Sequence, residues 1–472
     1  MRVTTESPQP EPGSFRDPDT RVYWHDGAVL RYLSARALVD WEQLAASEFF
    51  QRLTAEHRIV STERVSDPET LPSSDGKWAA VLKHERVPMV SYPYEWPFSM
   101  LRDAALLQLD VTLAALDEGM TLKDATPFNV QWVGPRPTFI DIGSFTAYRD
   151  GEPWVGYRQF CQLFLFPLML QAYKNLPFQG WLRGSLDGID AEHCRSVLSA
   201  RDYLRPGVLK HVYLQAKAQA RYEDAARDIK ADLRAAGFGA KLITHNVASL
   251  RRLVGQLRWK PARSTWSNYQ HEHTYDTGDL ERKTAFVRQV VTSRHWRTVW
   301  DLGCNTGTYS RLVSERADYV LALDADHLVI DRLFRALKEE GTTNVLPLVF
   351  DIANPSPGLG WRCRERGALA ERGSPDLIIC LALIHHLVIG RNIPLADLIE
   401  WLSGFGAELV IEFVSREDSM VQRLLHNRGD QAFDYSPAIM EASLARHFRD
   451  VTKQTLASGR RTLYHAVAGH DA

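Results

Sequence analysis

Three carboxylates stand at or near the ends of three apolar runs in the C-terminal half of the chain. Asp301 lies in TVWDLG, Asp324 ends YVLALD and Asp351 ends VLPLVFD. Continuous apolar runs separated by amphipathic segments are typical of parallel strands that are covered on both faces. Ligands of doubly wound folds bind where the carboxyl ends of such strands meet. We therefore expect the three acids to share one ligand site.

A short loop, DLGCNTG, follows the first of these strands. A dinucleotide fingerprint would need glycine at 303, 305 and 308, but only Gly303 fits, because Asn305 and Thr308 stand at the other positions. A P-loop is excluded because no Gly-Lys-Ser/Thr follows. Asn tolerates the left-handed backbone better than most residues, so Asn305 can replace a glycine ahead of Gly307. A tight strand–helix turn without a ligand is the alternative.

The pattern D-x-G-x-N-x-G resembles the first motif of class I S-adenosylmethionine-dependent methyltransferases, whose usual form is D/E-x-G-x-G-x-G. The resemblance covers about 270–472, and the combination of DLGCNTG, ALIHHL, EFV and RTLY is similar to the NoeA-like nodulation methyltransferases of bacteria. It implies S-adenosylmethionine as cofactor, with the ribose on Asp324 and the adenine amino group on Asp351. Asp326 competes with Asp324, and helix N-capping is the alternative role for these acids. The cofactor-binding residues so implied are Asp301, Gly303, Asn305, Gly307, Asp324, Asp351, Ile352 (against the adenine ring) and Leu381.

Candidate catalytic residues follow the fourth and fifth strands. The resemblance places Leu381 to His386, in DLIICLALIHHL, where methyltransferases of this class line the cofactor and the acceptor. His385 and His386 would point about 100° apart on a helix, and one of them could act as a general base. Glu412, in LVIEFV, is expected to face the acceptor pocket. Methyl transfer mainly requires alignment of donor and acceptor, so the acceptor stays open as a small molecule, glycan or peptide.

The N-terminal half carries a second motif, KDATPFNVQWVGPRPTFIDIGSF at 123–145. Its D-x-x-x-x-N and D-x-G spacing resembles protein kinases and aminoglycoside phosphotransferases. The resemblance implies that Asp124 is a catalytic acid and that Asn129 and Asp141 hold magnesium with ATP. The glycine-rich loop and the catalytic histidine-arginine pair are missing, and Arg31 is the nearest substitute for the strand lysine. Turn formation is the alternative role for these residues.

Three functions follow from these two halves. The first is a methyltransferase whose N-terminal domain, not itself catalytic, helps to bind the acceptor. The second is a bifunctional phosphotransferase-methyltransferase that uses ATP and Mg. The third is a non-catalytic cofactor-binding scaffold, against which the retained loop glycines and strand-end acids argue.

The strands and helices that must position these residues predict an α/β fold class. We expect a C-terminal doubly wound Rossmann-like sheet closed by an antiparallel hairpin around Gly459, and an N-terminal α+β kinase-like domain. A hairpin is predicted at RVYWHDGAVLRYLS, followed by helices over 35–57, 97–119 and 155–176. The predicted domain boundaries are 1–20 (disordered), 21–255 (kinase-like), 256–297 (connector ahead of the first strand) and 298–472 (methyltransferase).

Composition narrows the class of protein. The 472 residues favour two domains, and with 24% charged residues and a net charge of −2 they indicate neither nucleic acid nor a membrane surface as partner. Five cysteines without a CxxC pair argue against disulfides or zinc and predict a cytoplasmic location. The apolar run at 160–173 contains Pro167 and is too short to span a bilayer, so it predicts a buried helix. The oligomeric state does not follow from the sequence.

Overall fold

A computed structural model describes residues 8–66, 77–216, 239–260, 277–426 and 434–469. The chain divides into two compact units. The first unit comprises Met1–Val133, Pro137–Ala262 and Gly358–Arg366, and the second comprises Gly134–Arg136, Arg263–Pro357 and Gly367–Ala472. The segment Gly358–Arg366 therefore belongs to the first unit, although the sequence predicts it inside the C-terminal domain.

The first unit begins with a five-stranded antiparallel sheet in the order β1-β2-β3-β5-β4. Its strands are β1 (Gln9–Pro10), β2 (Thr20–His25), β3 (Ala28–Leu33), β4 (Thr62–Arg64) and β5 (Ala80–His84). β1 lies within the range predicted to be disordered. The β2–β3 hairpin is confirmed, with Asp26 and Gly27 at φ +47° and +76° as a two-residue turn of the left-handed type requires. The helix predicted over 35–57 is two helices, α1 (Ala35–Ala46) and α2 (Glu48–Ala55), separated at Ser47.

The rest of the first unit is mostly helical. The long helix α3 (Phe98–Asp117) precedes two short strand pairs, β6 with β9 and β7 with β8. The apolar run at 160–173 is a buried helix, as predicted, with a π-helical turn at Cys161–Leu165. In the described parts of the chain, no helix combines the length and the apolarity needed to cross a membrane. The remaining elements are β6 (Met120–Leu122), β7 (Val130–Val133), β8 (Arg136–Phe139), β9 (Phe145–Ala147), α4 (Tyr157–Phe160), α5 (Phe166–Lys174), α6 (Gln179–Gly184), α7 (Ala191–Val197) and α8 (Ala240–Gln256).

The second unit is built on a seven-stranded sheet in the order β12-β11-β10-β13-β14-β16-β15. The first five strands along the chain are parallel, and β16 runs antiparallel to β14 and to β15. The strands are β10 (Trp296–Leu302), β11 (Ala317–Asp324), β12 (Val345–Val349), β13 (Leu377–Cys380), β14 (Glu408–Val414), β15 (Phe448–Thr455) and β16 (Arg461–Ala468). The doubly wound α/β sheet and its closing hairpin around Gly459 are thus as the sequence predicts.

The helices of the second unit precede, separate or follow its parallel strands. They are α9 (Thr277–Thr292), α10 (Thr308–Ser314), α11 (His327–Glu340), α12 (Ile384–Arg391), α13 (Leu395–Ser403), α14 (Ser419–His426) and α15 (Pro437–His447). The strand order reverses between β10 and β13, because β11 and β12 extend the sheet to one side and β13 and β14 to the other. Such a switch point opens a crevice at the carboxyl ends of the strands, which is where a ligand site is expected.

Candidate functional site

A cavity of about 470 Å³ lies at this switch point. Seven of the eight residues predicted to bind a cofactor line it, namely Asp301, Gly303, Asn305, Asp324, Asp351, Ile352 and Leu381. The eighth, Gly307, lies in the same loop. Residues that the sequence did not single out also line the cavity, among them Leu280, Lys283, Tyr309, Phe350, Leu387 and Arg391. Lys283 and Leu280 come from α9, within the range predicted to be a connector.

The loop after β10 has the backbone that its sequence requires. Gly303, Asn305 and Gly307 all have positive φ, at +75°, +48° and +77°. A Cβ at Gly307 would come within 2.6 Å of Leu333 Cδ1, so a side chain at this position would require Leu333 to shift. Asn305 takes the left-handed conformation that an asparagine tolerates. The loop can therefore bring its backbone close to a ligand without glycine at 305.

Asp324 is oriented by backbone amides at the end of β11. Its Oδ2 accepts a hydrogen bond from Asn305 N at 3.0 Å, and its Oδ1 accepts one from Asp326 N at 2.9 Å. Burial raises the pKa of Asp324 above its ordinary value, and the two amide donors oppose that rise. Asp326 instead caps α11, where its Oδ1 accepts from Leu328 N at 2.9 Å. Of the two competing acids, Asp324 is the one that faces the cavity.

Asp351 lies two residues beyond the end of β12 and not within the strand. Its Oδ1 accepts a hydrogen bond from Ala353 N at 2.9 Å, and its Oδ2 lies 3.4 Å from Arg391 Nη2. Phe350 and Ile352 line the cavity on either side of it in sequence. This end of the cavity thus combines apolar walls with one oriented carboxylate.

Asp301 lines the cavity from β10. It is buried and accepts a hydrogen bond from Ser310 Oγ at 2.6 Å. Burial raises the pKa of Asp301 to about 6, a change that the Ser310 hydroxyl and the nearby Lys283 ammonium oppose. Its carboxyl group is therefore held in a fixed direction at the cavity wall.

The two adjacent histidines at the start of α12 have different surroundings. His386 lines the cavity, whereas His385 is fully buried and does not. Their ring centroids are 4.0 Å apart. Burial lowers the pKa of His386 to about 4 and holds the pKa of His385 well below its ordinary value, so both rings are neutral at physiological pH. Neither ring nitrogen of His385 has a hydrogen-bond partner in the described part of the chain.

Glu412, the third candidate catalytic residue, is fully buried in β14 and is not part of the cavity lining. Its Oε2 accepts from Lys283 Nζ at 2.6 Å, and its Oε1 accepts from Arg461 Nη1 at 3.1 Å. The two cations hold the pKa of Glu412 below its ordinary value against the effect of burial. The structure thus places the Glu412 carboxylate behind Lys283.

The motif residues of the N-terminal half come together in the first unit. Asp124 Oδ1 accepts hydrogen bonds from Asn129 Nδ2 and from Ser144 Oγ, each at 2.7 Å. Burial and the nearby Asp141 raise the pKa of Asp124 to about 6. Asp141 pairs with Arg31, whose Nη1 lies 2.9 Å from Asp141 Oδ1.

Asn129 and Asp141, the residues expected to hold magnesium, already contact other side chains. The Asp141 carboxylate faces the guanidinium of Arg31, which repels a second cation, and Asn129 donates its Nδ2 to Asp124. Magnesium needs carboxylates that are available to it in near-octahedral geometry. Across the described ranges, no group of three or more His, Cys, Asp or Glu side chains is placed to hold a metal ion.

A parallel sheet with a cavity at its switch point and acids along the cavity wall defines the second unit as a Rossmann-like α/β domain. The chain is 35% identical over 454 residues to the nodulation protein NoeA of Rhizobium meliloti (strain 1021), covering 96% of this chain and 94% of that one. The protein belongs to the NoeA family of nodulation proteins. No protein-family profile matches it.

Two solved structures are similar to part of this chain. The N-methyltransferase NodS of Bradyrhizobium japonicum WM9, in complex with S-adenosyl-L-homocysteine, is 13% identical with a TM-score of 0.32, over 44% of this chain and 100% of that one. Magnesium protoporphyrin IX methyltransferase of Synechocystis PCC 6803, with the same ligand bound, is 14% identical with a TM-score of 0.30, over 43% of this chain and 92% of that one.

Proposed function

We propose that the protein is an S-adenosylmethionine-dependent methyltransferase that acts on a small-molecule, glycan or peptide acceptor. The observation that carries the proposal is the placement of Asp301, Asp324 and Asp351 around one cavity at the switch point of the sheet. The loop with Asn305 in place of glycine faces the same cavity. The name of the NoeA relative connects the reaction to nodulation.

The cavity residues fit the parts of this cofactor. Asp324 accepts from two amides, and its carboxylate has further lone pairs that can accept from ribose hydroxyls. Phe350, Ile352 and Asp351 together offer an apolar wall and an acceptor for an adenine ring and its amino group. Bound S-adenosylmethionine supplies an electrophilic methyl group on a sulfonium sulfur.

The chain's own contribution to transfer is orientation and charge control. His386 is the titratable candidate on the cavity wall, and its low pKa keeps the ring neutral beside a cationic donor. A neutral imidazole can accept a hydrogen bond from an acceptor O–H or N–H and orient its lone pair. A base with a pKa of about 4 removes a proton only weakly at neutral pH, so we assign His386 an orienting role.

Calorimetric titration with S-adenosylhomocysteine tests the cofactor assignment. We expect micromolar binding, and a loss of about 100-fold or more in Asp324→Ala, because two charge-assisted hydrogen bonds are each worth about 1.5–3 kcal/mol. Asp318→Ala is the matched control, since Asp318 is an exposed acid on the same strand, outside the cavity lining. Absence of binding by the wild type at millimolar ligand would reject the methyltransferase assignment.

For the first unit we propose a kinase-like fold that helps to bind the acceptor and does not transfer phosphate. Its support is the third-strand position of Arg31, where kinases place a lysine, together with the clustered Asp124, Asn129 and Asp141. The Arg31–Asp141 ion pair argues against phosphoryl transfer. A thermal-shift titration with ATP and magnesium should give no shift in the wild type. A shift that Asp141→Ala abolishes would instead support the bifunctional alternative.

A further inference from the structure

Lys283 is a buried cation on the wall of the proposed cofactor cavity. It lies on α9, ahead of the first strand of the sheet, and only 4% of its surface is exposed. Its side chain lines the cavity together with Asp301 and Gly303. Burial lowers the pKa of the Lys283 ammonium, and the carboxylates of Glu412 and Asp301 oppose that change.

A chain of alternating charges holds this ammonium from behind. Lys283 Nζ donates to Glu412 Oε2 at 2.6 Å, Arg461 Nη1 donates to Glu412 Oε1 at 3.1 Å, and Arg461 Nη2 donates to Asp418 Oδ2 at 2.9 Å. All four side chains are at most 4% exposed. Buried ion pairs of this kind are often no more stabilising than apolar side chains of the same volume. Stability alone therefore gives no reason for a lysine at the cavity wall.

The other cationic side chain in the lining is in a different place. Arg391 is 62% exposed on its side chain and lies 3.4 Å from Asp351, at the end with Phe350 and Ile352. In the sheet, β11 with Asp324 lies between β12, which leads to Asp351, and β10, which carries Asp301. Placing ribose on Asp324 and adenine beside Asp351 leaves the lining around Asp301 and Lys283 for the rest of the cofactor. S-adenosylmethionine has a third polar part, an amino-acid group with one carboxylate.

We propose that Lys283 binds the carboxylate of the cofactor's amino-acid portion and that Glu412 is its positioning residue. This assignment rests on the proposed methyltransferase function. An ammonium has three donors, and Glu412 takes one of them while fixing the direction of the side chain. The Glu412–Arg461–Asp418 chain then supports a ligand contact, with Glu412 itself remote from the acceptor.

Two ligands that differ by the amino-acid portion test the assignment. S-adenosylhomocysteine carries the carboxylate, and 5′-methylthioadenosine lacks it but keeps adenine and ribose. In Lys283→Met we expect the Kd of S-adenosylhomocysteine to rise about 10- to 100-fold, equal to about 1.4–2.8 kcal/mol. The Kd of 5′-methylthioadenosine should change less than about threefold. Lys283→Arg should restore most of the affinity, because it keeps a cation.

The same titration of Glu412→Gln tests the positioning role. We expect the affinity for S-adenosylhomocysteine alone to fall, and by less than in Lys283→Met, since Lys283 remains but loses its charged partner. Retained binding of 5′-methylthioadenosine shows that each variant is folded. Equal losses of both ligands in Lys283→Met, or no loss of either, would overturn the carboxylate assignment alone. Failure of the wild type to bind either ligand would overturn the proposed function, and the assignment with it.

Discussion

Removing Arg461 is the sharpest test of the buried charges in the second unit. Arg461 is 2% exposed and donates to both Glu412 and Asp418, which are 0% and 2% exposed. In Arg461→Met, Glu412 keeps Lys283 as its partner. Asp418 instead loses its guanidinium partner while it remains buried. The variant therefore creates an imbalance of one buried negative charge.

The size of the effect follows from this imbalance. Breaking a buried ion pair by removing one partner costs about 3–5 kcal/mol, since an uncompensated charge stays out of water. That is a large share of the about 5–15 kcal/mol that holds a typical domain folded. We expect Arg461→Met to lower the free energy of unfolding by about 3–5 kcal/mol at pH 7.

A second substitution, at Asp418, separates the effect of the unpaired charge in Arg461→Met from the effect of altered packing. Asp418 Oδ1 also accepts from Met420 N at 2.9 Å at the start of α14, a capping role that asparagine can keep. In Arg461→Met/Asp418→Asn, the buried charges that remain are the balanced pair Lys283 and Glu412. We expect the double variant to recover about half of the loss or more, because the unpaired charge is gone.

Urea denaturation followed by tryptophan fluorescence and far-UV circular dichroism measures these differences. Arg297→Met is the control, since Arg297 is 79% exposed in its ion pair with Asp376 and its removal should have little effect. A double variant no more stable than Arg461→Met would refute the electrostatic reasoning. The reasoning would also be refuted if Arg461→Met lowered the free energy of unfolding no more than Arg297→Met does.

Four further predictions concern the cavity and the loop after β10. The pKa of His386 is about 4 in the folded chain and about 6.5 in the unfolded chain, so the unfolded chain binds the proton first as pH falls. The free energy of unfolding should therefore fall by up to about 3 kcal/mol between pH 6.5 and 4. In urea titrations, His386→Asn should lack this pH-dependent contribution. The affinity for S-adenosylhomocysteine should fall as pH rises towards the lowered pKa of Lys283, whereas Lys283→Arg should bind independently of pH over that range. Gly307→Ala should cost about 2–4 kcal/mol in unfolding free energy, from positive φ and contact with Leu333. Asn305→Gly should change it by less than about 1 kcal/mol, because both residues accept φ near +48°.

Much of the second unit could be predicted because its local signals agree with its fold. Apolar strands and amphipathic helices alternate, and their order allows a doubly wound sheet. The end of β12 differs from expectation, since the strand stops at Val349 and Asp351 lies in the loop. Hydrophobicity continues through Phe350, which packs at the cavity, so composition could not mark where ladder pairing stops.

The first unit shows where local patterns stop being informative. A helical pattern over 35–57 gave no sign that Ser47 separates two helices, because apolar residues continue on both sides of it. The strand β1 consists of Gln9 and Pro10, a pair that has no strand propensity and owes its conformation to β2. Such elements depend on tertiary partners, which a single sequence does not reveal.

The sequence around Glu412 shows that this acid needs a charged partner, but it does not show which residue that partner is. An acid within LVIEFV, in a strand covered on both faces, must be paired or it would cost several kcal/mol. The pattern predicts an acid that faces an acceptor, but the strand register brings a different partner. Glu412 stands opposite Leu463 on β16, and Arg461 is two residues away, the diagonal position from which a long side chain reaches across. Lys283 completes the pair from α9, far away in sequence. A buried acid in an apolar strand therefore predicts cations nearby, and only the register and the helix packing determine which ones, and whether one of them meets a ligand.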